Sequence, residues 1–254
     1  MPSDLTRRGF LAGAAACAAS FRLRAPANPS WRGGVVEVRH PAWRREGGAE
    51  PRLVKAMVER GLTRLTGERS AAAAWRRIVA PGERVGVKFS KTSRNASGAN
   101  QALGDVLLEG LRGAGVRRRD VIVVEAWGAR FPGTGEFDGS YGPEVDTDLA
   151  RVRLTRFIRQ QIDALINVPE LKPHPRLGAS GARSTVALAT TIIDRPWRLH
   201  GPRLADHVSA IYGLPAIATR CRLHILNGLG GPAALFLSRD ALALDRLAVA
   251  RVRG

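Results

Sequence analysis

Apolar residues follow two alternating patterns along the chain. Short apolar runs of strand length are separated by longer segments in which apolar residues recur every three or four positions. Residues 50–67 show the second pattern, with apolar side chains on one helical face and Gly67 as the stop signal. The segments of strand length are residues 34–40, 84–90, 120–126, 163–169, 221–228 and 234–238.

The order of these elements predicts the fold class, because strands that alternate with helices form a mainly parallel sheet joined by right-handed crossovers. The continuous apolar runs at 120–126 and 163–169 are typical of strands covered on both faces. We therefore predict an α/β fold, a single domain with a mainly parallel sheet flanked by helices, over residues 28–254. A long loop is expected from Trp127 to about Asp148. The predicted helices are residues 50–67, 101–115, about 150–161, 203–219 with a break near Pro215, and 239–252.

The N-terminal segment has the order of an export signal. The basic pair Arg7-Arg8 precedes a short apolar run, and a small-residue cleavage site follows at Ala25-Pro26-Ala27. We therefore predict that residues 1–27 are a twin-arginine-type signal peptide, with export to the periplasm or another extracytoplasmic compartment. An amphipathic helix start is the less favoured alternative. The segment that remains, roughly 225 residues, is long enough for one sizeable core and contains no membrane span.

The net charge of +18 comes almost wholly from arginine, since the chain has only four lysines. The arginines are scattered and are not interleaved with stacking aromatic residues, so we expect no nucleic-acid surface. Affinity for an anionic small molecule remains open. After removal of the signal the chain keeps one cysteine, Cys221, which excludes an internal disulfide and an iron–sulfur motif. Because the twin-arginine route carries folded proteins, a metal or redox cofactor of unknown identity is possible.

The stretch at residues 165–184 carries the strongest local signal for a site. An apolar run ends at a proline, and Lys172 and His174 then alternate with further prolines. A stiff backbone lowers the entropy cost of positioning a proton donor or a ligand. In open parallel sheets, ligands bind at the carboxyl ends of strands. We therefore predict that this loop forms one wall of a cleft. Lys88 ends a neighbouring strand and could hold an anion there, or be a solvated residue beside a loop.

Two other groups of polar residues allow alternative interpretations. Three histidines and a carboxylate could meet around a metal, although no metal-binding spacing is present. These residues are His200, His207, His224 and Asp206. A cluster of acidic residues in the predicted loop could bind a hard cation, or could pair with neighbouring arginines, which we favour. This cluster comprises Glu136, Asp138, Glu144, Asp146 and Asp148.

Several segments together resemble the domain-of-unknown-function 362 family. They read "DALINVPELKPHPRLGASGARS", "RPWRLH", "LHILNGLGGP" and "LSRDALALD", and the likeness covers most of the chain from about residue 84. The most specific parts are the Leu-Lys-x-His and Ser-x-Asp motifs. The resemblance implies an α/β fold with a polar cleft, and twin-arginine signals are common in the family. It implies no reaction, because the family has no generally assigned one.

The resemblance also implies a set of site residues. We expect Lys172, His174 and His200 to be catalytic. The residues expected to bind a ligand are Lys88, Asn167, Arg198, Asn227, Ser238, Asp240 and Asp245. The chain departs from the family pattern at Arg183-Ser184, where Lys-Asn is usual, at Asn227, which replaces Asp, and at Ala241, which replaces Pro. These departures indicate a divergent member with altered or lost activity.

Three functional hypotheses follow. The first is an exported α/β protein whose Lys/His/Arg-lined cleft binds an anionic small molecule or cofactor and carries out redox or acid–base chemistry. The second is a non-catalytic periplasmic binding or accessory protein that serves a redox enzyme. The third is a decayed paralogue whose sheet survives without a working site. The expected partners are a small anionic ligand and the twin-arginine export machinery.

Overall fold

The structure is a computed structural model, and it describes residues 34–45, 48–91 and 98–253. The predicted signal peptide, residues 1–27, lies outside the described residues. The strands are β1 (Val36–Arg39), β2 (Arg44–Arg45), β3 (Gly48–Ala49), β4 (Val85–Phe89), β5 (Val121–Val124), β6 (Tyr141–Asp146), β7 (Arg151–Thr155), β8 (Ala164–Val168), β9 (Lys172–His174), β10 (Gly178–Ser180), β11 (Cys221–Gly228) and β12 (Ala234–Ser238). The α-helices are α1 (Pro51–Thr66), α2 (Ala71–Ile78), α3 (Ala99–Gly113), α4 (Ala182–Ala187), α5 (Leu204–Tyr212), α6 (Pro215–Ala218) and α7 (Ala241–Arg253).

Six strands form the main sheet in the order β1-β12-β11-β8-β4-β5. Strands β5, β4, β8 and β11 run parallel to one another, whereas β12 is antiparallel to both of its neighbours. The sheet is therefore mixed but mostly parallel, and helices flank it. This confirms the expected α/β class and is consistent with a single domain.

Both faces of the sheet are covered by apolar packing. Helices α1, α2 and α3 contribute buried leucines, valines and Trp75 to one face. On the other face, α4 and α5 pack with Phe157, Ile158 and Leu165, while α7 packs beside them over Phe236. Every residue of β4 and β8 is buried, as expected for central strands that are covered on both faces.

Local signals predicted most element boundaries well. Helix α1 begins at Pro51 in its first turn and ends before Gly67, whose φ of 73° lies in the left-handed region that favours glycine. Strands β11 and β12 coincide with the predicted segments 221–228 and 234–238. Helix α2 was not predicted, although Ser70 caps it by accepting a hydrogen bond from the Ala73 amide at 3.2 Å.

The predicted loop agrees with the structure over residues 127–140, but the prediction was wrong between residues 141 and 161. The expected loop contains β6, and the expected helix at 150–161 is the strand β7 followed by a short π-helix, Phe157–Gln161. Strand β7 pairs with β6 in an antiparallel hairpin and buries Val152 and Leu154 against the core. Burial of alternate residues in a short hairpin overrode the helical spacing that the sequence suggested.

Candidate functional site

A row of polar side chains crosses the carboxyl ends of the parallel strands. Lys88 of β4 lies opposite Asn167 of β8, and Asn167 lies opposite His224 of β11. Residues opposite one another in a parallel sheet point to the same face, so the three side chains form one row. All three are fully buried. The polar residues of β4, β8 and β11 therefore lie side by side, as the α/β fold class predicted.

Lys88 forms a buried ion pair with Glu125, which directly follows β5. Lys88 Nζ lies 2.8 Å from Glu125 Oε2 and also donates to the Phe89 carbonyl at 3.0 Å. The Thr191 hydroxyl donates to the other carboxylate oxygen of Glu125 at 3.0 Å. Burial lowers the pKa of Lys88, and the nearby carboxylate opposes that effect.

Glu125 adopts an uncommon backbone conformation, with a φ of 57°. A non-glycine residue in this left-handed region is strained, and such strain persists only where the surrounding structure holds it. The hydrogen bonds from Lys88 and Thr191 hold the carboxylate in this position. We missed Glu125 as a site residue. The sequence signal for Glu125 was its position at the end of a predicted strand that neighbours the strand of Lys88.

The proline-rich stretch forms a small hairpin of β9 and β10. Lys172 lies opposite Ser180, and His174 lies opposite Gly178. Side chains alternate along a strand, so Lys172 and His174 share one half-buried face while Pro173 between them is exposed. A proline has no amide hydrogen to donate and is tolerated in such an edge strand. The hairpin therefore places the Lys172 and His174 side chains on one side of the ribbon.

The hairpin forms one wall of a cavity of about 440 Å³. Its lining includes the predicted residues Lys88, Lys172, His174 and His200. The other lining residues are Ser90, Lys91, Glu125, Pro173, Ser180, Ser184, Thr185, Leu188, Ala189 and Thr190. Most of the hydroxyl groups in this set were not predicted, because single serines and threonines in loops and short helices give no sequence signal.

The two cavity histidines have complementary hydrogen-bond patterns. His174 Nδ1 accepts from the backbone amides of Arg176 at 3.3 Å and Leu177 at 3.2 Å. His200 Nδ1 lies 3.2 Å from the Pro196 carbonyl, an acceptor, and so must carry a hydrogen. In the neutral rings, His174 therefore keeps its proton on Nε2, whereas His200 keeps a lone pair on Nε2. The ring centroids are 6.4 Å apart.

Two side chains of the hairpin, His174 and Lys172, have pKa values below their usual range. Burial is the main cause for His174, and the positive charges of His200, Lys172 and Arg176 act in the same direction. Burial likewise lowers the pKa of Lys172, while Glu170 at 3.9 Å opposes it. Both groups therefore lose a proton more easily than they would in water. Such groups are suited to proton transfer.

Asn167 and His224 belong to a buried network behind the cavity. The Asn167 amide donates to the Ala182 carbonyl at 2.9 Å and lies 3.2 Å from His224 Nδ1. His224 Nε2 lies 2.9 Å from the Tyr212 hydroxyl. Burial lowers the pKa of His224 to about 4 and raises the pKa of Cys221 to about 12. Cys221 is thus a protonated, unreactive thiol.

Three predicted ligand-binding residues have structural contacts outside the cavity lining. Asp245 pairs with Arg183 at 2.7 Å in a buried ion pair. Asp240 caps α7 by accepting from the Leu242 and Ala243 amides. The Ser238 hydroxyl donates to a backbone carbonyl near β1, that of Gly34. A ligand role for these residues stays a prediction.

Arg198 and Asn227 also lie outside the cavity lining. Arg198 is an exposed residue of the short 3-10 helix Pro196–Leu199. Asn227 is buried, and its Oδ1 accepts from the Leu229 amide at 3.0 Å, which shapes the turn after β11. The structure therefore brings together four of the predicted site residues, Lys88, Lys172, His174 and His200, and places the other six elsewhere.

The structure corrects the suggestion of a histidine-based metal site. Within residues 34–45, 48–91 and 98–253, no three His, Cys, Asp or Glu side chains form a group that could hold a metal ion. His200 lies in the cavity, whereas His224 is buried against Tyr212 and Asp206 pairs with Arg203. The acidic segment forms ion pairs, as we favoured. Asp138 pairs with Arg156 at 3.1 Å, and Asp146 pairs with Arg151 at 2.8 Å.

Comparisons with known proteins do not identify a family for this chain. No protein-family model and no curated protein sequence matches the chain. A crystal structure of a Thermotoga maritima protein from a structural-genomics consortium is similar, with 11% sequence identity and a TM-score of 0.43. The likeness covers 82% of this chain and 60% of that protein. None of the helices in the described part of the chain is long and apolar enough to cross a bilayer.

Proposed function

We propose that the protein binds a small anionic molecule in the cavity and transfers protons on it through Lys172, His174 and His200. One observation carries the proposal. Three lysines and two histidines line a single cavity, and among its described lining residues Glu125 is the one carboxylate. Because Glu125 is already paired with Lys88, the cavity presents excess positive charge to a ligand.

The hydrogen bonds of the two histidines suggest a division of roles. His174 presents an Nε2–H donor to the cavity, and His200 presents an Nε2 lone pair. A ligand between them would meet a proton donor on one side and a base on the other. Lys172, beside His174 on the same face of β9, adds positive charge that attracts the anionic ligand into the cavity.

Calorimetric titration tests the binding step. The probes are inorganic phosphate and malonate, with malonamide as an uncharged analogue of malonate. We expect at least one anion to bind and malonamide not to bind. A Lys172→Ala/His174→Ala variant should lose at least tenfold in affinity, because each lost charge-assisted contact contributes about 1.5–3 kcal/mol. Lys55→Ala is the matched control, since Lys55 pairs with Glu109 and does not line the cavity.

Two results would contradict this proposal. Unchanged affinity in the double variant would place the anion elsewhere on the protein. If neither phosphate nor malonate binds the unaltered protein, the proposed function itself is wrong. Thermal unfolding of each variant checks that a lost affinity does not reflect a lost fold.

A non-catalytic binding or accessory role that serves a redox enzyme is the second candidate. The observation that favours it is the position of Arg183, which stands where the related family has lysine. Arg183 is held in a buried pair with Asp245 and does not line the cavity. Incubation of a bound ligand in D₂O, followed by NMR, separates the two candidates. Deuterium on carbon supports proton transfer, whereas an unlabelled ligand supports binding alone.

We further propose that the chain is a divergent, exported member of the domain-of-unknown-function 362 family. The twin-arginine order at Arg7-Arg8 and the Leu-Lys-x-His motif at 171–174 support this. An Arg7→Lys/Arg8→Lys variant should remain in the cytoplasm, while the unaltered protein is exported and loses residues before about Ala27. N-terminal sequencing of the exported protein checks both expectations. Export of the double-lysine variant at the normal level would contradict the signal assignment.

A further inference from the structure

The distribution of lysine in this chain is unusual. Of the 40 basic residues, only four are lysine. Three of the four, Lys88, Lys91 and Lys172, line the cavity, and none of the described lining residues is an arginine. A second concave site has a volume of about 390 Å³, and its basic residues are arginines. They are Arg84, Arg119 and Arg156, and no lysine is among its described lining residues. Apart from Lys55, the chain therefore has its lysines at the candidate site and uses arginine as its basic residue elsewhere.

Anion binding alone does not explain this choice. Arginine binds carboxylate and phosphate groups at least as well as lysine, because its planar guanidinium forms paired hydrogen bonds. The chemical difference is that lysine can lose its proton and act as an amine, whereas arginine stays charged. A cavity that uses lysine within an arginine-rich chain is suited to chemistry at a neutral amine.

The environments of the three lysines differ. Lys88 is fully buried and held by Glu125 and the Phe89 carbonyl. Lys91 is an exposed residue in the turn after β4. Lys172 lies between these extremes, with 28% of its side chain exposed and Glu170 Oε2 at 3.9 Å. Burial lowers the pKa of Lys172 and so increases the fraction of neutral amine. Lys172 thus combines access to the cavity with a reduced cost of deprotonation.

We propose that Lys172 forms an imine with the carbonyl carbon of a small anionic aldehyde or keto acid. The inference rests on the proposed anion binding and names the class of ligand. Lys91 and the hairpin would hold the carboxylate of the ligand, which leaves its carbonyl group beside Lys172. His174 and His200 line the same cavity and can exchange protons with the reacting atoms.

The reaction balances without a further reactant. The Lys172 ammonium gives one proton to the His200 Nε2 lone pair, and the freed Nζ lone pair forms a bond to the carbonyl carbon. The C=O π electrons move to oxygen, which takes a proton from the nitrogen and becomes a hydroxyl group. The proton held by His200 then passes to this hydroxyl, which leaves as water, and the nitrogen lone pair forms the C=N bond. The products are one protonated imine and one water molecule.

Borohydride trapping tests the inference on the unaltered protein. The protein is incubated with glyoxylate or pyruvate, reduced with sodium borohydride, and mapped by peptide mass spectrometry. We expect one stable secondary-amine adduct, located on Lys172. A Lys172→Arg variant keeps the positive charge but cannot form an imine, so it should lose the adduct. Lys55→Arg is the matched control and should keep the adduct, since Lys55 pairs with Glu109 and does not line the cavity.

The outcomes separate this inference from the proposed function. An adduct on Lys88 or Lys91 alone, equal labelling of all four lysines including Lys55, or no adduct while malonate still binds would overturn the inference and leave anion binding intact. Loss of all anion binding would overturn both. Because the mapping uses the unaltered protein, its result does not depend on whether a variant folds.

Discussion

His224 should make the stability of the protein depend on pH. This side chain is fully buried in β11 and lies between the Asn167 amide at 3.2 Å and the Tyr212 hydroxyl at 2.9 Å. Burial lowers its pKa to about 4, and the Asp240 carboxylate opposes that effect only in part. The folded protein therefore holds a neutral imidazole over a pH range in which the unfolded chain binds a proton.

The sign and size of the effect follow from this difference in pKa. In the unfolded chain His224 titrates near pH 6.5, so between about pH 6.5 and pH 4 only the unfolded state binds the extra proton. Stability is then lost as the pH falls through this window. Because the two pKa values differ by about 2.5, the full effect is about 3 kcal/mol, of which about 2 kcal/mol should be lost between pH 7 and pH 4.5.

Urea unfolding of the unaltered protein and of a His224→Gln variant at pH 7 and pH 4.5 measures this contribution. Burial also lowers the pKa of His174 and His207, so the difference between the two proteins isolates His224. The unaltered protein should lose about 2 kcal/mol more than the variant. Equal losses would refute the reasoning. If the variant does not fold, an NMR titration replaces it, and an imidazole that protonates near pH 6.5 gives the same refutation.

Two further pairs of substitutions test the packing and a buried ion pair. Gly110→Ala should destabilise the protein by about 1–3 kcal/mol in chemical denaturation, because the new Cβ would lie 2.1 Å from the Trp75 indole nitrogen. Gly113→Ala in the same helix meets no atom within 4 Å and should stabilise by up to about 1 kcal/mol. Asp245→Asn should cost about 3–5 kcal/mol, because it leaves a buried guanidinium unpaired. Asp206→Asn should cost under about 1 kcal/mol of stability, because the ion pair of Asp206 with Arg203 is exposed. Equal costs for Asp245→Asn and Asp206→Asn would contradict this account.

The sequence by itself determined the elements that local signals specify. The limits of α1 follow from Pro51 and Gly67, and the strands β11 and β12 follow from apolar runs with turn residues at their ends. Such signals depend on the backbone geometry of adjacent residues and on which side chains are buried. Both can be inferred from the spacing of apolar and turn-forming residues along the chain. The hairpin of Lys172 and His174 was also predictable as a stiff cationic segment, since prolines restrict the backbone wherever they lie.

Only the tertiary structure decided which distant side chains meet. Lys88 and Glu125 are 37 residues apart, and their pairing depends on the order of the strands in the sheet. The hairpin of β6 and β7 formed where a helix was expected, because its apolar residues pack against distant parts of the core. Periodicity specifies how a segment buries its apolar face, but contacts between segments depend on the packing of the whole chain. For this reason the sequence predicted a cationic cleft wall, whereas the full lining of the cavity, with Glu125 and the hydroxyl groups, was decided by the tertiary structure.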